Sequence, residues 1–242
     1  MLALRSVVAK AIAVASVIVC VANVPARAEE PKLATFLLFA GTDLWRDGAF
    51  LYGGALWAPA SLDRDGFILK LIFSGGGYDY PSDTLQTKVG GTLTSAAALP
   101  GWHVARDGFD LKLYAGPVAQ DYRSTPYDPG SRLHGSYIGG QFAADIWYQP
   151  NAATMIAVNG SIFSVGPTGS LRGAMGWRLF EPFFVGPEVQ GVWCNNFQQL
   201  RFGAHLTGWR FETVEWSAAA GWELDSFQRS GLYARTGFNA RY

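Results

Sequence analysis

The sequence is poor in cysteine, and this shortage excludes two kinds of stabilisation. Of its 242 residues only Cys20 and Cys194 are cysteines. Cys20 lies in an N-terminal segment that we expect to be removed, which leaves Cys194 as the only cysteine of the mature chain. An internal disulfide and a cysteine-rich metal site are therefore excluded, and we expect no metal ion or other cofactor.

Charge is also scarce, at 16% of residues against roughly 25% in an ordinary soluble domain. Basic and acidic residues number 19 each, and removal of the N-terminal segment leaves a small acidic excess. Nucleic acid is therefore not an expected partner. Glycine, with 29 residues, and aromatic residues, at 14%, are by contrast abundant. Such a composition suits many strands and turns beside an apolar solvent.

The N-terminal segment has the organisation of a secretory signal. Arg5 and Lys10 form a basic start, and residues 11–22 form an uncharged, mostly apolar run. Ala26-Arg27-Ala28 is a small-x-small cleavage site, so we expect residues 1–28 to be a signal peptide. No apolar stretch of 18 or more residues follows it, and the sequence predicts no transmembrane helix.

Alternation of apolar and polar residues is the main signal in the expected mature chain, residues 29–242. Between residues 199 and 206, for example, the apolar side chains fall on one face and the polar ones on the other. The same sorting predicts twelve strands with a period of two. They are Thr35–Trp45, Phe50–Ala58, Phe67–Tyr78, Leu85–Ala97, Phe109–Arg123, Leu133–Tyr148, Thr154–Val165, Ser170–Phe180, Phe183–Cys194, Phe197–Phe211, Val214–Ser226 and Gly231–Tyr242.

Two faces with different solvents indicate strands that cross a membrane. Inside hydrocarbon no water can satisfy backbone N–H and C=O groups, so strands can span only in a closed sheet without edges. An even strand number is what a single-chain bacterial barrel requires. We therefore predict an all-β fold, a closed antiparallel transmembrane β-barrel of about 12 strands, in the cell outer membrane.

Charged and polar residues on the inward face are the predicted lumen lining. Because positive and negative charges are interleaved, neighbouring strands can pair them and avoid the cost of an unpaired buried ion. Such a lumen can be narrow or blocked. These candidates are Lys112, Asp145, Arg172, Arg178, Glu188, Arg201, His205, Glu215, Glu223 and Arg235.

Some local features predict irregular positions. Gly116-Pro117 and Gly186-Pro187 are expected to mark bulges or strand edges, since proline cannot donate to a ladder. Residues 98–108 read as a long connection on the periplasmic side, and residues 122–133 as the longest external one. Tryptophans near strand ends are expected at the bilayer interfaces, with ordinary core tryptophans as the alternative. They are Trp45, Trp57, Trp102, Trp147, Trp209 and Trp216.

Few residues suggest catalysis. His134 and Ser136 are predicted to share a strand face beside the long external connection, which makes them the best candidates for a hydrolase. His103 reads as a surface residue in a turn, and His205 as a pore-lining residue. No GxSxG, HExxH, P-loop or dinucleotide fingerprint occurs.

Several stretches resemble the cellulose biosynthesis protein BcsS family of α-proteobacteria, over nearly the whole mature chain. They are Leu38-Phe39-Ala40-Gly41-Thr42-Asp43-Leu44-Trp45-Arg46-Asp47-Gly48-Ala49-Phe50-Leu51-Tyr52-Gly53-Gly54, Ala98-Leu99-Pro100-Gly101-Trp102, Val185-Gly186-Pro187-Glu188-Val189-Gln190, Arg201-Phe202-Gly203-Ala204-His205-Leu206-Thr207-Gly208 and Glu215-Trp216-Ser217-Ala218-Ala219. The resemblance implies an outer-membrane accessory of cellulose synthesis and secretion. It implies no catalytic residue.

The sequence thus favours a non-catalytic barrel that assists cellulose biosynthesis or secretion. The alternatives are an outer-membrane hydrolase of lipid or polysaccharide that uses His134 and Ser136, and a general diffusion porin. Expected partners are outer-membrane lipid and cellulose or the components that secrete it. The final strand ends in the aromatic Tyr242, which resembles the terminal signal that the barrel assembly machinery reads.

Overall fold

The computed structural model describes residues 33–180, 183–194, 197–211 and 213–242. The predicted signal peptide and its cleavage site lie outside these residues. Twelve strands make up nearly all of the described chain. They are β1 (Phe36–Trp45), β2 (Gly48–Trp57), β3 (Gly66–Ser82), β4 (Thr87–Arg106), β5 (Phe109–Thr125), β6 (Gly135–Asn151), β7 (Thr154–Phe163), β8 (Thr168–Phe180), β9 (Phe183–Cys194), β10 (Phe197–Phe211), β11 (Val214–Asp225) and β12 (Ser230–Arg241).

The sheet closes on itself. Each strand pairs antiparallel with its neighbours in sequence, and β1 pairs with β12 from Leu37↔Arg241 to Trp45↔Tyr233. No edge strand remains in the described sheet, and the predicted closed antiparallel barrel of 12 strands is confirmed. Among the residues that the structure describes, no helix is long and apolar enough to cross a membrane.

The two ends of the barrel carry different connections. One end, called the loop end below, holds the turn at Arg46–Asp47 and the longest connection on that side, residues 126–134. The terminal end holds the first and last residues of the barrel and two-residue turns at 107–108 and 152–153. There the Thr35 N–H donates to the Tyr242 carbonyl at 2.8 Å.

The predicted long connection at residues 98–108 is wrong. β4 continues to Arg106, and only a two-residue turn separates it from β5. Pro100 of β4 and Pro117 of β5 lie on either side of one interruption in the ladder between these strands, with the same register before and after it. Their missing N–H groups face this single gap, and pairing with β3 and β6 continues. Pro117 therefore marks neither a bulge nor a strand edge.

Pro187 is accommodated in a similar way. β9 keeps its predicted length and pairs with β10 through Pro187↔Ala204. On the β8 side the register is the same at Ala174↔Glu188 and at Trp177↔Val185, with no pairing between them. Met175 therefore lies opposite Pro187, and the ladder is interrupted there instead of bulging or ending.

The outward face of the barrel is apolar, the reverse of a soluble protein. Several large apolar side chains on the strands expose between 63% and 87% of their surface; these are Phe73, Ile138, Leu179, Phe211 and Leu232. Contiguous apolar exposure of this kind is unfavourable in water and is the rule for barrel strands that face hydrocarbon.

Outward aromatic residues form a belt around the terminal end. Phe183, Trp209, Trp216 and Phe238 make successive ring contacts, with centroids 5.1–6.5 Å apart. The belt also includes Phe36, Trp57, Phe67, Trp102, Phe109, Tyr148 and Trp177. Such girdles flank the apolar band of membrane barrels.

Two of the predicted interface tryptophans do not belong to this belt. Trp45 lies inside, with the Arg201 guanidinium 5.1 Å from its ring centroid. Trp147 also lies inside, where it packs against a small cluster that contains Met155 and Phe184. For these two residues the interface prediction is wrong, because their positions in the strand period turn them inward.

Candidate functional site in the barrel interior

Hydrogen bonds between strands that are not neighbours identify the inward face. Lys70 of β3 reaches Asp145 of β6, and Arg201 of β10 reaches Asp43 of β1. In a closed sheet such contacts can only cross the interior. The alternation then turns every second side chain of each strand inward.

Glu188 is the centre of the interior. Its side chain is fully buried, and Arg172 donates to Oε2 through Nε at 2.9 Å and through Nη2 at 2.7 Å. Arg235 donates to both oxygens at 2.9 and 2.7 Å, and the Tyr233 hydroxyl donates to Oε1 at 3.0 Å. These four residues, the Glu188 cluster, join β8, β9 and β12. Charge-assisted bonds of this number hold both carboxylate oxygens.

The Glu188 cluster continues across the barrel. Arg172 Nη1 donates to Asn159 Oδ1 at 3.1 Å, and Asn159 Nδ2 donates to Asp145 Oδ1 at 3.0 Å. Lys70 Nζ donates to the other Asp145 oxygen at 3.1 Å and lies 4.8 Å from the centroid of the Tyr114 ring. One bonded path therefore runs from β3 to β12 through the interior.

A second group, the Arg201 cluster, lies on β10, β11 and β1. Arg201 is almost fully buried and donates to both oxygens of Asp43 at 2.8 Å and to Gln199 Oε1 at 2.9 Å. Gln199 Nε2 donates to Glu223 Oε2 at 2.6 Å. With Lys70 and Asp145 of the bonded path included, the two clusters hold four basic and four acidic side chains, so their formal charges balance.

His205 fills a gap that Pro187 leaves. It is 2% exposed, and its Nε2 lies 3.1 Å from the Met175 carbonyl, opposite Pro187. A carbonyl can only accept, so Nε2–H is the donor, and Nδ1 of the neutral ring accepts from Thr207 Oγ1 at 2.9 Å. The His205 side chain thus replaces the backbone donor that proline lacks.

The remaining predicted lining residues lie towards the terminal end. Lys112 bonds Asp110, Arg178 lies 4.7 Å from the Phe184 ring centroid, and Glu215 accepts from Arg210 at 3.0 Å. These three do not join the Glu188 or Arg201 clusters in the contacts that the structure describes.

His103 is not the surface residue of a turn that the sequence suggested. It lies on the inward face of β4, is fully buried, and its Nε2 is 2.7 Å from Asp110 Oδ2. Because the predicted strand ended at Ala97, the inward position of residue 103 was missed.

Sequence reasoning also missed residues that complete the interior. Asp43, Lys70, Asn159 and Tyr233 all have inward positions in predicted strands, so the period of two could have included them. Their partners could not have been named, because Arg201 and Asp43, for instance, are 158 residues apart in sequence.

A small cavity lies beside the bonded path. On the side of the terminal end, a cavity of about 170 Å³ is lined by residues that include Asp110, Lys112, Trp147 and Met155. Ligand pockets usually enclose roughly 300–1,000 Å³. This cavity is therefore too small for an oligosaccharide or a drug-sized ligand.

The predicted pair His134 and Ser136 is arranged differently from the hydrolase hypothesis. β6 begins at Gly135, whose φ of 78° turns the chain, so His134 lies outside the strand. Ser136 Oγ donates to Asp121 Oδ1 at 2.7 Å. The His134 ring packs against Tyr127, with centroids 4.7 Å apart. The expected common strand face is therefore wrong.

These features define a class of protein, a closed twelve-stranded β-barrel with an apolar outer face and an interior bridged by ion pairs. Similar solved structures include the deltaS2S3 and deltaS2 mutants of the TodX monoaromatic hydrocarbon channel. They are 9% and 10% identical, with a TM-score of 0.52 each, over 88% and 86% of this chain and 91% of theirs. The KdgM porin is 10% identical, with a TM-score of 0.44, over 85% of this chain and 99% of its own.

At such low identity, the likeness to TodX establishes the fold alone. No curated protein matches the chain by sequence. The family model for cellulose biosynthesis protein BcsS matches residues 37–242, and the chain belongs to this family. Membership implies a role in cellulose biosynthesis.

Proposed function

We propose that this chain is an outer-membrane β-barrel that assists cellulose biosynthesis or secretion without catalysing a reaction. Family membership supports the link to cellulose. The apolar outer face and the aromatic belt support a membrane position, and every strand has at least the 9–11 residues that a tilted strand needs to span hydrocarbon.

The observation that carries the accessory role is the bonded path across the interior. Side chains of β3, β6, β7, β8, β9 and β12 form a chain of hydrogen bonds, each 3.1 Å or shorter, where a diffusion pore would hold water. Buried, mutually bonded ions are costly to separate, because each loses its compensating charge. A barrel filled in this way acts as a rigid structural component of the membrane, not as an open pore.

Two partners follow from the same barrel. Outer-membrane lipid would cover the apolar face, with the aromatic belt at the periplasmic interface. Tyr242, whose backbone closes the seam with Thr35 and Phe36, would present the terminal signal to the barrel assembly machinery. We also propose cellulose, or the components that secrete it, as partners at the cell surface.

The hydrolase and porin alternatives have less support. Ser136 donates its hydroxyl hydrogen bond to the Asp121 carboxylate. In a Ser-His hydrolase, by contrast, the serine hydroxyl is bonded to a histidine ring nitrogen that acts as its base. A general porin needs a water-filled channel, and barrels with such channels commonly have 16–18 strands.

Gene deletion with complementation tests the proposal. We expect the deletion strain to produce less extracellular cellulose, and the intact gene to restore it. The protein should fractionate with outer membranes and migrate differently on gels with and without heating. Unchanged cellulose would contradict the role, and recovery of a soluble periplasmic protein without detergent would contradict the location.

Conductance measurements in planar bilayers distinguish a filled barrel from a porin. We expect the purified protein to give little steady conductance. A large, constant conductance would contradict a filled interior.

A further inference from the structure

The wall of the barrel is higher on one side of the loop end. Strands β3 to β6 have 17 to 20 residues, whereas the neighbouring β2 and β7 have 10. β2 ends at Gly48↔Tyr78, but β3 and β4 remain paired to Ser82↔Thr87. β6 likewise extends past its last partner in β7 to Gly135. About 9–11 residues span hydrocarbon, so this raised wall extends beyond it.

The loop at residues 126–134 tops the raised wall, and its conformation is held by Asp128. The buried carboxylate of Asp128 accepts from the Tyr80 hydroxyl at 3.1 Å and from the Gly130 N–H at 3.0 Å. Its backbone N–H donates to Ser124 Oγ at 3.2 Å, and its carbonyl accepts from the Ser131 N–H at 3.1 Å. The loop is thereby fixed to β3 and β5.

Tyr127, next to Asp128, is the exposed aromatic residue of this fixed loop. Two thirds of its surface, 67%, is accessible, and the His134 ring supports it from one side at a centroid distance of 4.7 Å. An aromatic ring held in place in this way loses little conformational freedom when a ligand stacks on it.

Polar groups lie at the strand ends that the loop joins. Asp121 of β5 accepts from Ser136 of β6 at 2.7 Å and from Arg123 Nε at 2.7 Å. The Arg123 side chain is 78% exposed. The raised wall therefore combines an aromatic ring face with donors and acceptors that are open to solvent.

We propose that Tyr127, supported by His134, is a stacking platform for a β-1,4-linked glucan chain at the cell surface. The axial C–H groups of a pyranose ring form an apolar face that packs on the negative face of an aromatic ring. Hydroxyl groups elsewhere on the same glucan chain can bond the exposed polar groups of the raised wall, which include Asp121 and Arg123. The exposed Arg123 is paired with Asp121, so this part of the wall suits a neutral polymer.

The choice of a β-1,4-glucan rests on the proposed function, since the ring face alone would also accept other pyranoses. In a β-1,4-glucan the sugar rings are flat and extended, so one chain can lie along a wall top. An α-1,4-glucan curves, so the sugars next to the one stacked on Tyr127 would turn away from the wall top. The difference between these two geometries makes the assignment testable.

Calorimetric titration of the full-length mature protein in detergent micelles is the test, with cellohexaose as the probe. We expect Tyr127→Ala to weaken binding about threefold to tenfold, as for loss of one aromatic partner. Tyr127→Trp should retain or tighten it. The matched control is Tyr148→Ala, which removes an exposed tyrosine of the aromatic belt and should leave binding unchanged.

Three results would contradict the proposal that Tyr127 stacks on a β-1,4-glucan. They are no binding of cellohexaose to the wild type, equal affinity of wild type and Tyr127→Ala, and equal affinity for cellohexaose and maltohexaose. Heat-modifiable migration of each variant confirms that its barrel is closed. If gene deletion lowers cellulose but the wild type fails to bind cellohexaose, the proposed function remains and only the platform is lost.

Discussion

Glu188 combines complete burial with three donors, and its neighbours Arg172 and Arg235 depend on it for compensation. We expect Glu188→Gln to lower the free energy of unfolding by about 3–5 kcal/mol, since the side chains of Arg172 and Arg235, which are at most 19% exposed, lose their countercharge. Urea unfolding in lipid vesicles, followed by tryptophan fluorescence, measures this change.

Glu215→Gln is the matched control for Glu188. The partner of Glu215 is Arg210, whose side chain is 67% exposed at the end of β10. An exposed pair is worth about 0–1 kcal/mol, so the control should change stability little. Equal losses in the two variants would mean that the Glu188 cluster does not hold the barrel together.

His205 and Pro187 form a pair that can be tested as a cycle. His205→Ala leaves the Met175 carbonyl without its donor, and we expect a loss of about 1–3 kcal/mol in the free energy of unfolding. In a Pro187→Ala background, residue 187 regains an N–H that faces Met175. The loss from His205→Ala should then shrink. The same loss in both backgrounds would contradict this role of His205.

At the scale of the strand, β10 has a bulge that turns Trp209 outward. The register with β11 shifts between Leu206 and Trp209, and Gly208 has a φ of 86°. Without the extra residue, strict alternation from Leu206 would turn Trp209 inward and remove it from the aromatic belt.

Gly208→Ala tests the bulge. A left-handed backbone disfavours any side chain, so we expect a loss of about 1 kcal/mol in the free energy of unfolding. Gly191→Ala is the matched control, because a Cβ at Gly191 meets nothing within 4 Å and its φ is not left-handed. A Gly208 variant as stable as the Gly191 variant would argue against a strained bulge.

The loop at residues 126–134 is ordered by a carboxylate that stays ionised. Burial of Asp128 would raise the pKa of its carboxyl, but hydrogen bonds from the Gly130 N–H, Ser82 and Tyr80 outweigh it and hold the pKa below 3.8. A lowered pKa in the folded state means that this contribution is present above pH 3.8 and is lost as pH falls through the folded value.

Asp128→Ala should therefore free the loop at neutral pH. We expect faster proteolysis within residues 126–134 in Asp128→Ala than in the wild type, with the barrel itself intact. Asp83→Ala, in the exposed turn between β3 and β4, is the control and should be cleaved in this loop no faster than the wild type. Equal protection of the Asp128 variant would contradict the loop anchoring.

Strand boundaries follow from the sequence wherever the alternation is uninterrupted. β9 and β10 have the predicted bounds, Phe183–Cys194 and Phe197–Phe211. β4 extends nine residues past its predicted end at Ala97, because Pro100 and Pro117 share one interruption of a single ladder, which costs the sheet little and does not end the strand. Single-strand reasoning cannot detect such a pair.

At the scale of the whole molecule, the bridged interior predicts how conductance responds to mutation. The double variant Lys70→Ser and Asp145→Ser removes one complete bridge and leaves no lone charge behind. We expect it to raise conductance in planar bilayers above the low level of the wild type. Ser161→Ala, at an inward hydroxyl outside the bonded path, is the control. Unchanged conductance of the double variant would mean that the Lys70–Asp145 bridge does not block passage.

The order of side chains along each strand was enough to assign the twelve strands, their two faces and the inward position of the charged residues, because a period of two is a local property of the backbone. Which residues meet across the interior depends on closure and on the stagger between strands, which no single segment contains. Three features were therefore decided by the tertiary structure alone. They are the pairing of Arg201 with Asp43, the hydrogen bond from His205 that replaces the donor Pro187 lacks, and the raised wall beneath Tyr127.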